Sequence, residues 1–176
     1  MQAGLNDQVN AELYSAYLYL SMSAWLNSAS LPGAAHWMYA QAHEELIHAL
    51  KMYLHVIERN GRAELGPITG PPKEWDSALA AFEAAYEHEK MVTGRINALV
   101  NLAIEEADYA SNNFLQWYVE EQVEEESSTL EVAQKLRLAN GQGAALFLID
   151  QELAARIPPF VIPIPPVPAD GQGGAA

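Results

Sequence analysis

Four long stretches of this chain have the composition of helices, and each carries a glutamate inside its apolar stripe. At about 100° per residue, a helix presents one face every third or fourth position. On the first stretch that face reads Leu5, Val9, Glu12, Ala16, Tyr19 and Ser23. On the second it reads Met38, Ala42, Glu45, Ala49, Met52 and Val56, with Gln41 and His48 at its edge. The third gives Phe82, Tyr86, Glu89, Thr93, Ile96 and Val100, and the fourth Phe114, Trp117, Tyr118, Glu121, Glu125, Val132 and Leu136. A carboxylate taken from water alone is costly and normally protonates. Four of them converging would repel one another unless a cation sat between them.

Any one of these glutamates, met alone, reads as an edge residue whose carboxylate snorkels to water. His48 alone reads as a hydrogen-bonded core histidine, and the stripe aromatics and methionines as packing. The coincidence overturns that reading. Glu12, Glu45 and Glu89 all occupy mid-helix positions that antiparallel packing brings level, and Glu45 and His48 have the Glu-x-x-His spacing that places both on one face. Glutamates with one imidazole and no thiolate suit iron or manganese better than copper, and zinc fits the same donors. Magnesium and calcium would not need His48.

The run "EEQVEEE", Glu120 to Glu126, divides by helical angle. Glu121, Glu124 and Glu125 turn toward the inner face with Gln122 on its edge, while Glu120 and Glu126 point to solvent. Glu125 is the best further ligand from this helix. Glu121, Glu124 and Glu44 make an adjoining acidic cluster, or Glu44 merely orients His48 from four residues away. His43 falls on the opposite face and reads as surface.

The order of elements predicts an all-α fold. Helices are expected over about Gln2–Ala29, Pro32–Asn60, Trp75–Glu105 and Asp108–Ala139, with Gly61 as a stop signal and Asp108 as an N-cap. Between the second and third lies "RAELGPITGPPKEW", a Gly/Pro-rich loop of roughly a dozen residues, longer than a tight helix connection needs. The expectation is a four-helix bundle of two antiparallel pairs joined by one long crossover, with a short fifth helix over about Gly143–Arg156. Residues 1–156 are expected to form one domain, with a proline-rich tail over 157–176 whose prolines favour extended structure and whose last residues are expected to be mobile.

Composition removes several function classes. With 9 Lys+Arg against 23 Asp+Glu the net charge is −14, which argues against nucleic acid and suits cations. Cysteine is absent, so disulfides, thiolate ligands and cysteine nucleophiles are excluded. No apolar run has the ~18 residues of a membrane span and the N-terminus lacks signal character, so a cytoplasmic protein without membrane contact is expected.

The motifs "NAELYSAYLYL", "AHEELIHALKM", "YEHEKMVT" and "EEQVEEE" together resemble the non-haem bacterial ferritins, from Leu5 to about Leu153. The resemblance implies a ferritin-like bundle with a ferroxidase centre. Glu12, Glu45 and His48 would hold one iron, Glu45 would bridge, and Glu89 with Glu125 would serve the second. Gln122 would lie beside the oxygen-binding face and Tyr19 next to the first iron. Glu44, Glu121, Glu124 and Glu125 match the third iron site of bacterial members. It further implies oxidation of Fe(II) by O2 or H2O2 and storage of ferric oxyhydroxide in a homo-oligomeric shell of about twenty-four subunits.

Haem is not expected, because the residue after the bridging glutamate is Leu46 where bacterioferritins have methionine. The absence of Cys-x-x-Cys excludes a rubrerythrin. The acidic pair lining the threefold pores of animal ferritins would fall at Asn112 and Leu115, so iron passage by that route is not supported. The tail from Ile157 has no counterpart in the family. Two rival functions stand beside storage: a di-iron oxidase or oxygenase of an organic substrate, and a structural shell subunit without chemistry. Filled stripes speak against the first, and intact Glu12, Glu45, His48 and Glu89 against the second.

Overall fold

The computed structural model describes residues 1–159 and consists of helices α1 (Gln2–Ser28), α2 (Pro32–Glu58), α3 (Ala78–Glu105), α4 (Tyr109–Ala139) and the short α5 (Gly143–Leu153). The all-α bundle with its long crossover is as expected. The tail conformation expected from the prolines lies outside the described residues, apart from its first three.

Helix ends follow local chemistry. The third helix begins at Ala78 rather than near Trp75, because the Ser77 side chain accepts the Ala80 N–H at 3.1 Å. Asp108 caps α4 as predicted, accepting from Ser111 N–H at 3.1 Å. The end of α2 differs from expectation. The chain turns on Asn60, which takes φ 58°, and not on a left-handed Gly61. Gly61 is needed there for space, since a Cβ would stand 2.9 Å from the Val56 carbonyl oxygen.

The core is two apolar clusters with a polar belt between them. One contains Leu18, Met22 and Leu26 of α1, Met38 of α2, Phe82 of α3 and Leu136 of α4. The other contains Leu5 and Val9 of α1, Met52 and Val56 of α2, Ile96 of α3 and Leu115 of α4. Going up in residue number, α1 and α4 pass from the second cluster to the first, while α2 and α3 pass from the first to the second. The helices α2 and α3 therefore run parallel, and the chain between them must travel the length of the bundle.

Three side chains of α1 guide that crossover. Asn6 donates to the Arg62 carbonyl at 3.0 Å, Asn10 accepts the Gly66 N–H at 2.8 Å, and Ser21 donates to the Pro72 carbonyl at 2.6 Å. Trp25 and Trp75 close the far end with ring centres 5.8 Å apart. The crossover thus satisfies its exposed backbone on a helix it must pass.

The fifth helix docks on the start of α2. The Asp150 carboxylate accepts the Ala34 N–H at 2.8 Å, which occupies one of the free donors of that helix end. The approach is close enough that a Cβ on Gly33 would lie 1.7 Å from the Asp150 carbonyl oxygen. Among the described residues, no helix is long and apolar enough to cross a membrane.

Candidate metal centre

The polar belt between the two apolar clusters is where the stripe glutamates meet. Glu12 follows Val9 on α1, Glu45 and His48 lie between Ala42 and Met52 on α2, and Glu89 lies between Ala85 and Val92 on α3. On α4, Gln122 and Glu125 follow Tyr118. All six of these side chains belong to buried residues, Glu89 fully and Glu12 and Glu45 to 1% exposure.

Glu12, Glu45 and His48 form one fully buried group, with one donor atom from each within 4.8 Å of the others. The His48 Nδ1 is 3.6 Å from Glu45 Oε2 and its Nε2 is 4.0 Å from Glu121 Oε2. One imidazole therefore faces two carboxylate groups through its two nitrogens, and the nitrogen that carries the proton is oriented by the other side. The second group is His48, Glu121 and Glu125, again within 4.8 Å. The Tyr118 hydroxyl donates to the His48 carbonyl at 2.7 Å and fixes the helix turn that carries the ring.

Hydrogen bonds hold the remaining carboxylates. Gln8 Nε2 donates to Glu12 Oε1 at 2.8 Å, and Arg95 in turn donates to Gln8 Oε1 at 2.8 Å. The Tyr19 hydroxyl donates to Glu89 Oε1, and Gln122 Nε2 to Glu89 Oε2 at 3.2 Å. The same Gln122 nitrogen lies 3.3 Å from Thr93 Oγ1, whose hydroxyl donates to Glu126 Oε1 at 2.6 Å. Gln41 Nε2 donates to Glu125 Oε2 and reaches toward Glu45 Oε1 at 3.5 Å.

The electrostatics are those of an anionic site lacking a fixed counter-charge. Burial pushes Glu45 and Glu125 well above the ordinary carboxylate range, and neighbouring carboxylates add to the shift. Burial also raises Glu89 to about 7, although hydrogen bonds from Tyr19 and Gln122 oppose it. The Tyr19 hydroxyl is pushed up by burial first and then by the charges of Glu89, Glu45 and Glu125. None of Glu12, Glu45, Glu89 and Glu125 pairs with a lysine or arginine among the described residues. The Glu12 Oε2 and Gln41 Oε1 atoms are buried without a hydrogen-bond partner among them. Buried acceptors with no donor, beside repelling carboxylates, fit a bound cation.

Several expectations on α4 and α2 need correction. Gln122, placed on the edge of the stripe, is buried at 4%, while Glu124, placed toward the inner face, is exposed. Glu126, read as solvated, is half-buried through its bond from Thr93. Leu115 fills the core position assigned to Phe114 and Trp117, which are only partly buried. Tyr118, Glu125, Val132 and Leu136 are buried as expected, and Leu115, Gln122 and Thr129 complete the inner face of α4 in place of Phe114, Trp117 and Glu121. His43 is buried at 3%, not surface, and packs edge-on to Tyr39 with ring centres 4.4 Å apart.

Glu44 is directed away from the belt's centre. It pairs with Arg156, which also lies over the Trp37 ring. Burial raises the Glu44 carboxyl, with Arg156 and His48 pulling the other way. Gln8 and Gln41 escaped the sequence reading as site residues. Their signal was position, since each lies four residues before a stripe glutamate.

A family described as the ferritin-like domain matches residues 2–139. A probable bacterial non-heme ferritin-like protein of Haemophilus influenzae is 44% identical over 149 residues, covering 85% of this chain and 90% of its own length. A bacterial non-heme ferritin of Campylobacter jejuni is 43% identical over 147 residues, covering 84% of this chain and 88% of that one. Among solved structures, an open-pore ferritin of the hyperthermophilic archaeon Archaeoglobus fulgidus superposes with a TM-score of 0.89 at 54% identity. That match covers 89% of this chain and 97% of the archaeal one.

Proposed function

The chain belongs to the ferritin family, and from that premise we propose that it is a ferroxidase that oxidises Fe(II) and stores the product as ferric oxyhydroxide in a hollow shell of about twenty-four copies. The observation that carries the reading is the buried group of Glu12, Glu45 and His48 with an orphaned Glu12 oxygen, beside Glu89 and Glu125. Such a site relieves its repulsion by taking up protons or, in their place, metal cations. Iron is the substrate here rather than a resident cofactor.

The residues divide the work. Glu12 and His48 receive one Fe(II), Glu45 is shared, and Glu89 with Glu125 receives the second. Two Fe(II) held side by side each give one electron to a single dioxygen, which leaves as hydrogen peroxide with two protons; peroxide itself, with two protons, is reduced to water in the same way. Hard carboxylate donors favour Fe(III) over Fe(II), which drives the oxidation. Tyr19 positions Glu89 through its hydroxyl, and Gln122 offers its amide N–H beside the same carboxylate. Glu44, Glu121, Glu124 and Glu125 form the flanking third site, through which iron passes toward the mineral. Of these, exposed Glu124 contributes only by turning its side chain inward.

In this reading residues 1–156 are the iron-handling unit and 157–176 an appended tail of a cytoplasmic protein that carries no haem. Tyr19, Met52, Phe82 and Tyr118 are packed around the belt, which disfavours an oxygenase of an organic substrate.

Anaerobic Fe(II) at a few equivalents per subunit, followed by oxygen, separates the possibilities. Diferric absorbance is expected to rise within seconds, and particle size to show a mineral-filled shell. Fast oxidation without a mineralised shell removes storage. A Glu45→Ala variant oxidising iron at the wild-type rate removes the site assignment.

A further inference from the structure

Arg156 lies where a cation of the flanking cluster would exert its charge. Its Nη2 donates to Glu44 Oε2, and its guanidinium carbon sits 4.2 Å from the centre of the Trp37 ring. The two charged side chains are only 20% and 25% exposed, so this is not an ordinary solvated surface pair. The Arg156 Nη1 is buried without a hydrogen-bond partner among the described residues. The backbone is held as well, because the His36 Nε2–H donates to the Arg156 carbonyl at 2.8 Å. The guanidinium is therefore fixed by the end of α5, which itself sits against Gly33.

Glu44 is next to Glu45 and one helical turn before His48, and its charge acts on both His48 and Glu121. Two different cations thus have a claim on one carboxylate: the guanidinium delivered by α5, and a metal ion at His48, Glu121 and Glu125. Close approach of both is opposed by like-charge repulsion in a partly dry site.

We propose that Arg156 is a built-in stand-in for the metal of the flanking cluster, so that cation binding at Glu44, His48, Glu121 and Glu125 and docking of the α5 end oppose each other. The inference rests on the reading of that cluster as a cation site. Its consequence is a division of affinities. The buried group of Glu12, Glu45 and His48 has no competing side-chain cation and binds tightly. The flanking cluster must first displace one, and so binds weakly and lets iron move on. Linkage makes the effect mutual: the factor by which docked Arg156 weakens the metal is the factor by which the metal weakens docking.

The test is calorimetric titration of the assembled, iron-free protein with Zn(II), a cation that undergoes no redox step. The wild-type chain is expected to show tight binding at the buried centre and a weaker class from the flanking cluster. Arg156→Gln should tighten the weaker class by about tenfold, the worth of one charge-assisted hydrogen bond. Arg156→Lys, which keeps the charge, should stay near the wild type. Gly33→Ala, at the N-terminal end of α2 and away from Glu44 and His48, pushes α5 off α2 and should shift the weaker class in the same direction as Arg156→Gln.

Hydrogen exchange of the α5 amides supplies the reciprocal reading. In the wild type it should accelerate as the weaker class fills, and in Arg156→Gln it should be fast from the start and indifferent to Zn(II). A weaker class that is unchanged or loosened in Arg156→Gln, or α5 exchange that ignores Zn(II) in the wild type, overturns the inference while leaving the cluster a cation site. If neither protein shows any class beyond the tight one, the flanking cluster is not a cation site and the inference falls with it.

Discussion

The buried centre and the flanking cluster share His48 but solve the problem of negative charge in opposite ways. Around Glu12, Glu45, Glu89 and Glu125 the described residues supply hydrogen-bond donors, from Gln8, Tyr19, Gln41 and Gln122, and no lysine or arginine. Around Glu44 it supplies a guanidinium. Neutral donors ease a carboxylate without competing for it, so the centre stays ready for metal at the cost of repulsion in the iron-free state. A fixed charge relieves the repulsion at once and competes with whatever arrives. On the proposed reading, the difference separates a site that holds iron and reacts from one that passes ions along.

The sharpest way to break that comparison is Glu45→Gln. The initial rate of iron oxidation should fall by roughly a hundredfold or more, beyond the range seen when a mere supporting partner of a metal ligand is lost. A loss no greater than that of a flanking substitution would mean the two regions are not distinct.

The same substitution has an opposite effect on the iron-free protein. Removing one of several repelling buried carboxylates should raise the midpoint of thermal unfolding by about 3 °C for each kcal/mol relieved. Scanning calorimetry with and without Zn(II) reads this directly, and Zn(II) should stabilise the wild type more than the variant. A lower midpoint for iron-free Glu45→Gln would show that the carboxylate is structurally required rather than held in tension.

Glu121→Gln should leave initial oxidation within roughly threefold of the wild type, because within the Glu12, Glu45 and His48 group the carboxylate reaches His48 alone. Its larger effect should be on the weaker class of Zn(II), which loses a donor. Equal losses of rate in Glu121→Gln and Glu45→Gln would merge the two regions into one.

The smallest effect is expected at a charge that belongs to neither region. Asp108 is held down to about 2, first by the hydrogen bond from Arg59 and then by those from Ser111, against an ordinary value of 3.8. A depressed carboxyl contributes stability above the ordinary value and loses it as pH falls through the folded one. The wild-type protein should therefore lose stability between about pH 4 and pH 2 through this group. Asp108→Asn keeps a capping oxygen but loses the ion pair with Arg59, so it should lack that component and be less stable at neutral pH by at most about 1 kcal/mol. An unchanged acid profile in Asp108→Asn would show that the cap contributes nothing through its charge.

Much of the centre was legible because helical angle is a local property. Glu12, Glu45 and Glu89 are anomalous within their own stripes, and His48 follows Glu45 at a spacing the backbone alone enforces. The fourth helix was harder to read. An acidic run from Glu120 to Glu126 gives no apolar contrast, so Glu124 was expected inward although it is exposed, and Gln122 was left at the edge although it is buried. His43 was misread for a related reason: it lies off the bundle stripe, and its cover comes from outside that stripe, with Tyr39 beside it.

Sequence by itself determined the helices, the long crossover and the family of ligands, since each follows from periodicity, turn chemistry and the improbability of four buried lone carboxylates. Tertiary structure alone decided how the charges are shared. That His48 faces two groups at once, that Gln8 and Gln41 serve the carboxylates, and that Arg156, just beyond α5, reaches Glu44 are matters of contacts between distant elements. The reason is physical: helix periodicity fixes which face a side chain occupies, but only packing fixes which other charges it meets there.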